Sequence, residues 1–271
     1  MDRVACNWSE LPRDLMAFNL NTMFRVNKVI VYPDFAWNKI EDCTVLAITE
    51  HGRKSGHGRL CYWRFGDENW TIVNGGFCYY CDIIVYKGQF YVVDKWGMLS
   101  VIDFSSSRAK KIAAPLYREG IEKFLVESCG DLYLVDGFVK GECDRQSNAE
   151  TQCMVVDFRV YKLNEEEHDW DPVKSIGDRI FFVGHSSFST SAQDFSELEG
   201  NCIIFIDKTI LPKKGGGFES FHDQFMGVFN LVDGSIGRLT FPLHNRPYSH
   251  IFGPSPTWIN SDSSSSSSSS G

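Results

Sequence analysis

One heptapeptide recurs along this chain and constrains it more than any other feature. Gly88-Gln89-Phe90-Tyr91-Val92-Val93-Asp94 returns 42 residues later as Gly130-Asp131-Leu132-Tyr133-Leu134-Val135-Asp136. A looser echo, Asn201-Cys202-Ile203-Ile204-Phe205-Ile206-Asp207, follows 71 residues after that. The polar stretch Lys140 to Gln152 and the serine-rich stretch Ser186 to Ser196 read as insertions. Repeats of ~40 to 50 residues built from four short strands are the signature of propeller blades. A blade buries its faces only against its neighbours, so such repeats close into a ring. Residues 24–259 have room for about five or six blades at that period.

The rest of the chain agrees with an all-β reading. Val29-Ile30-Val31-Tyr32, Thr44-Val45-Leu46-Ala47-Ile48, Leu60-Cys61-Tyr62-Trp63 and Ile83-Ile84-Val85-Tyr86 are short β-prone runs bounded by turn formers. Tyr86-Lys87-Gly88-Gln89 and Val232-Asp233-Gly234-Ser235 each place a glycine where a tight hairpin turn needs positive φ. Two ends fall outside the ring. Residues 1–20 hold a short helix start, with Pro12 in the first turn, where its missing N–H does no harm. Residues 260–271 are a serine-rich tail that buries no apolar surface and is expected to be disordered.

Composition removes several functions. With 27 basic against 35 acidic side chains the net charge is −8, the wrong sign for neutralising phosphates broadly, so nucleic acid is not an expected partner. No apolar run approaches the ~18 residues of a membrane span, and Asp2, Glu10 and Asp14 argue against a leader peptide. An intracellular location, cytoplasmic or nuclear, follows. The nine cysteines are an odd number spread over a long chain, which fits reduced thiols.

Several short motifs invite a chemical reading, and each is incomplete. Cys78-Tyr79-Tyr80-Cys81 has zinc-knuckle spacing without a second pair, so thiols packed beside a strand are expected. The basic, glycine-rich segment His51 to Arg59 fails the phosphate-loop pattern; as a turn its Arg53, Lys54, His57 and Arg59 are the candidates for a partner contact. Gly184-His185-Ser186-Ser187-Phe188 lacks the second glycine of a nucleophile elbow. Glu165 to Asp171 lacks the turn spacing of a calcium loop and reads as a solvated edge loop. Lys213 to Gly217 reads as a flexible loop. The tryptophans, Trp63 and Trp70 among them, are expected in blade cores. An alternative class, a metal- or small-ligand-binding propeller enzyme, needs acidic or imidazole groups in the central channel. Asp94, Asp136 and Asp207 are the candidates there, with turn capping the simpler explanation. No catalytic residue, metal or cofactor is expected.

The chain also resembles the plant F-box proteins that carry a KIB-type β-propeller. The resemblance runs in order through Leu60 to Val73, Asp82 to Asp103, Phe124 to Val139, Phe158 to Leu163, Ser175 to Phe182, Gly200 to Asp207, Phe229 to Ile236 and Pro256-Thr257-Trp258. Trp8-Ser9-Glu10-Leu11-Pro12-Arg13-Asp14-Leu15 is similar to the opening of the family's F-box, which docks on a Skp-type adaptor of a cullin ubiquitin ligase. The resemblance therefore implies a non-catalytic substrate receptor, adaptor contacts at Trp8, Leu11, Pro12 and Leu15, and a protein partner, with a protein kinase admissible. The chain departs from the pattern after Leu20, where it passes through Asn21-Thr22-Met23-Phe24 almost directly into strand residues. Adaptor binding is accordingly expected to be weak or absent.

Overall fold

The computed structural model describes residues 24–33, 43–51, 58–74, 79–116, 120, 122–140, 154–184, 186–195, 198–206 and 226–238. Within them lie seventeen strands in four sheets, the blades of an all-β propeller. Blade 1 comprises β1 (Phe24–Tyr32), β2 (Thr44–His51), β3 (Gly58–Arg64) and β4 (Thr71–Ile72). Blade 2 comprises β5 (Tyr80–Tyr86), β6 (Gln89–Asp94), β7 (Leu99–Asp103) and β8 (Arg108–Ala113). Blade 3 comprises β9 (Glu122–Ser128), β10 (Asp131–Lys140), β11 (Met154–Asn164) and β12 (Asp169–Val173). In each, chain order equals spatial order and every pairing is antiparallel.

The blades stack face to face through apolar clusters. Leu46, Ile48, Leu60 and Tyr62 of blade 1 pack with Ile83, Phe90, Val92 and Ile102 of blade 2. Val93 and Leu99 of blade 2 pack with Leu125, Leu132, Leu134, Tyr161 and Trp170 of blade 3. Blade 3 presents Val126, Val135, Phe158 and Val160 to the fourth sheet. Strands buried on both faces need apolar residues at consecutive positions, which is why these runs are continuous rather than alternating. The repeat is visible atom by atom. Phe90 and Val92 face back to blade 1 and Val93 forward to blade 3; Leu132 and Leu134 face back to blade 2 and Val135 forward to the fourth sheet. Both copies are second strands of their sheets, as a 42-residue blade repeat requires.

The hairpin before β6 is set by its turn residues. Lys87 has φ 47° and Gly88 φ 75°, two successive positive values whose twist matches that of the strands. Gly234, at φ 70°, supplies a single positive φ in the longer turn before the last described strand, Ile236–Arg238.

The fourth sheet departs from the simple meander. It orders β14 (Phe188–Ser191), β13 (Arg179–Val183), β15 (Cys202–Ile206), β16 (Met226–Asn230) and β17 (Ile236–Arg238), with β13 and β15 parallel. The serine-rich stretch taken for an insertion therefore supplies an edge strand. Phe188 stacks on Phe182 at 4.5 Å, Thr190 is buried, and the Ser189 and Ser128 hydroxyls share a 2.8 Å hydrogen bond that joins β14 to β9. The echo of the repeat, β15, consequently stands third in its sheet rather than second.

Four blades lie among the described residues. The helix start at residues 9–15 and the serine tail lie outside them, as do the residues beyond 238 that an estimate of five or six blades includes.

Candidate protein-binding surface

The carboxylates aligned by the repeat do not converge on a ligand. Asp94 lies at the end of β6, and its Oδ1 accepts the N–H groups of Trp96 and Met98, each at 2.9 Å. Burial raises its pKa, opposed by those two N–H bonds and by Lys123 and Lys111 nearby. Asp94 is thus a turn cap, as its sequence position suggests. Asp136 is not. Its Oδ1 accepts from Lys123 Nζ at 2.6 Å, with both side chains wholly buried, and Lys123 also donates to the Gly120 carbonyl at 3.0 Å. The register of β9 against β10 sets Lys123 directly opposite Asp136, so the carboxylate neutralises a buried cation instead of capping a turn. Gly120 is required there, because a Cβ on it would stand 1.6 Å from Asp136 Oδ1. Asp207 lies outside the described residues.

Asp82 ties three blades together. It pairs with Lys28 of β1, its Oδ2 accepts the Leu125 N–H of β9 at 2.8 Å, and its Oδ1 accepts the Ile83 N–H at 2.8 Å. Burial raises its pKa against the lowering effect of Lys28 and of the two N–H groups. Among the described residues no three His, Cys, Asp or Glu side chains gather where they could hold a metal ion.

The other sequence candidates divide between strands and undescribed stretches. Trp8, Leu11, Pro12, Leu15, Arg53, Lys54, His57, Cys78, His185 and residues 213–217 lie outside the described residues. Arg59 is half-buried on β3 opposite Thr49, whose hydroxyl donates to the Arg59 carbonyl at 3.4 Å. Cys81 is in β5, and burial pushes its thiol up to about 12, so at neutral pH the free thiol is protonated. Phe188 opens a strand where a nucleophile elbow needs a helix. Of the acidic segment, Glu165 to His168 form an exposed turn and Asp169 to Asp171 belong to β12. Glu165 is not merely solvated. It takes hydrogen bonds from Lys87 Nζ at 2.6 Å and from Tyr86 Oη at 2.7 Å across the blade 2 to blade 3 junction.

The expectation that tryptophans pack in blade cores is met only in part, since Trp63 and Trp70 are half-buried and belong to none of the four apolar core clusters of the described residues. Trp170 is buried, but Trp96, at the turn between β6 and β7, remains 43% exposed. Lys95 Nζ stands 3.7 Å from the centroid of the Tyr79 ring and 4.4 Å from that of Trp96, and the two rings meet edge to face at 6.0 Å. The backbone beneath is fixed from every side. The Lys95 N–H donates to the Tyr79 carbonyl at 2.8 Å, the Leu116 N–H to the Trp96 carbonyl at 2.8 Å, and the Trp170 indole N–H to the Gly97 carbonyl at 2.9 Å. Gly97 adopts φ 82° with the Leu116 side chain against it. The signal was present in the sequence: Asp94-Lys95-Trp96-Gly97 is a capped turn with an aromatic at its tip, which is a poor place for a core residue.

Comparison with known proteins now decides the lineage, since a family model described as the KIB1-4 beta-propeller matches residues 6–230. The chain belongs to the KIB1-4 β-propeller family. Among its relatives, the F-box protein SKIP23 of Arabidopsis thaliana is 32% identical over 217 residues, covering 75% of this chain and 52% of its own length. The F-box protein At2g17036 of the same plant is 31% identical over 212 residues, with 75% and 51% covered. This KIB1-4 chain spans about half the length of the relatives it matches. Among solved structures, Bacteroides ovatus xyloglucan PUL GH43B matches 74% of this chain and 38% of its own at 12% identity and a TM-score of 0.30, a likeness too loose to inform the chemistry.

Proposed function

We propose that this chain is a non-catalytic protein-binding propeller that resembles the substrate-receptor subunit of a Skp–cullin–F-box ubiquitin ligase, with its coupling to the adaptor lost or weakened. The observation that carries the reading is the family match over residues 6–230 together with relatives that bear the name F-box protein. The chemistry of the described residues supports it: the buried carboxylates are occupied by cations and backbone N–H groups, and the buried thiols are held protonated. What remains available is surface, carried on a scaffold locked by interblade packing and suited to presenting turns to a protein partner. No helix among the described residues is long and apolar enough to cross a membrane. We place the chain inside the cell, in the cytoplasm or nucleus, with an unidentified protein partner and no nucleic acid, membrane or cofactor.

The weakened coupling rests on size. A stable interface draws on ~20 to 30 residues per side, and Trp8 to Leu20 are fewer. A pull-down with a recombinant Skp-type adaptor tests this. Little or no retention supports the reading, whereas submicromolar binding that disappears in Leu11→Ala/Pro12→Ala overturns it.

A further inference from the structure

We infer that the Tyr79, Lys95 and Trp96 turn is a docking site for an acidic peptide segment of a partner protein, in which a carboxylate meets the Lys95 ammonium and an adjacent apolar side chain covers the Trp96 ring. The inference rests on the protein-binding reading above and gives that reading a place on the molecule.

Three observations converge on this turn. First, its aromatic group is exposed on an immobile backbone. Asp94 Oδ1 holds the Trp96 and Met98 N–H groups, the Leu116 N–H holds the Trp96 carbonyl, and the Trp170 indole holds the Gly97 carbonyl. Binding to a surface already ordered costs little conformational entropy, and tryptophan and tyrosine are the side chains that most often dominate interface energetics. Second, the cation is positioned without a carboxylate partner among the described residues. The Lys95 ammonium lies against both ring faces, yet no carboxylate among the described residues pairs with it, in a chain with 35 acidic side chains. Cation–π attraction orients an ammonium while leaving its N–H donors able to bond an anion. Third, a second cation follows in the same blade: Lys111 is exposed on β8 opposite Ser100, two residues beyond Met98 on the strand that leaves this turn.

These features favour a segment carrying Asp or Glu beside an aromatic or aliphatic residue. The carboxylate takes the N–H donors of Lys95, and the apolar neighbour removes the exposed part of Trp96 from water, which favours binding in proportion to the area covered. The site is a single anchor. A peptide fits it better than a broad globular face, which would need additional contacts elsewhere on the propeller.

The test uses the full chain, immobilised and presented with a random 12-residue phage-displayed peptide library at near-physiological salt. The expected result is enrichment of peptides with Asp or Glu next to Trp, Phe, Tyr or Leu. A synthetic peptide from that set should bind about tenfold more weakly to Lys95→Glu and to Trp96→Ser, as loss of an interface anchor does. Lys95 is half-buried and Trp96 partly exposed, so a thermal melt of each variant accompanies its binding measurement. Replacing the peptide's own Glu by Gln should cost a similar factor without altering the protein, which keeps the test decisive if a variant folds poorly. Enriched peptides that bind both variants as well as the parent, or that are basic, overturn this site while leaving the propeller a protein binder. Absence of any enrichment counts against both.

Discussion

Lys123 Nζ stands 2.6 Å from Asp136 Oδ1, and neither side chain reaches solvent. A charge pair in that position contributes little net stability over an apolar pair of similar size, but losing one partner strands the other in a low-dielectric interior. Asp136→Ala and Lys123→Met should therefore each destabilise by about 3–5 kcal/mol, and the double change Lys123→Met/Asp136→Leu by clearly less than either. Urea denaturation at neutral pH checks this. A double-variant loss equal to the sum of the two single losses would show that the two charges do not depend on each other. Gly120→Ala reports on the same spot, because its Cβ would collide with the Asp136 carboxylate.

The pH dependence of stability has a component that runs against the usual acid unfolding. Burial raises Asp94 above its ordinary 3.8, so the folded protein holds this proton more tightly than the unfolded chain. That contribution is fully present below 3.8 and is lost as pH rises through the folded value. Asp94→Asn keeps an amide oxygen for the Trp96 and Met98 N–H groups but cannot titrate. The stability of Asp94→Asn relative to the parent should thus increase as pH climbs from below 3.8, then level off. Asp103 has the opposite sign. Its bonds from Ser105 and Ser106 hold it down at about 2, so its contribution is present above 3.8 and disappears as pH falls toward 2. Urea midpoints of the parent, Asp94→Asn and Asp103→Asn measured from pH 2 to 7 separate the two.

Thiol reactivity should divide by position. Burial pushes Cys61 and Cys81 to about 12 and Cys202 to about 11, while Cys129 is exposed on the turn between β9 and β10. Thiolates are the reactive form. At pH 8, iodoacetamide should label Cys129 in the native protein and leave Cys61, Cys81 and Cys202 untouched until denaturant is added, as read by peptide mass spectrometry. Native labelling of Cys81 would restore a redox or metal role for the Cys78-Tyr79-Tyr80-Cys81 spacing.

Much of the scaffold was legible in the sequence because blade strands are local: a β-prone run, a glycine at positive φ and a second run suffice to mark β5 and β6. The repeat then fixed their equivalence to β9 and β10. What sequence did not reveal depends on register and packing. Ser186 to Ser196 carries almost no apolar alternation, so nothing local marks β14 as a strand; its place comes from Phe188 on Phe182 and from the hydroxyl pair Ser128 and Ser189. Asp136 resembles Asp94 in sequence, yet the lysine that changes its role is on another strand. Trp96, by contrast, was legible from the Asp94-Lys95-Trp96-Gly97 turn but is misread as core by residue type.

The last prediction concerns Asp82, a side chain bonded to groups of three blades. It receives the Lys28 ammonium from β1 and the Leu125 N–H from β9 while standing on β5 itself. Asp82→Ala leaves a largely buried ammonium and a buried N–H without their acceptor, and each orphaned group carries its own desolvation cost. The loss should be about 3 kcal/mol or more. Lys28→Met in the same background removes the stranded cation, so the double variant should recover part of that loss, with a coupling of about 0.5–3 kcal/mol. The N–H of Leu125 remains orphaned in both, which is why recovery should stop short of the parent. A double-mutant cycle by urea denaturation gives the coupling directly. Strict additivity would mean that the Lys28 to Asp82 pair adds nothing across the junction of blades 1 and 2.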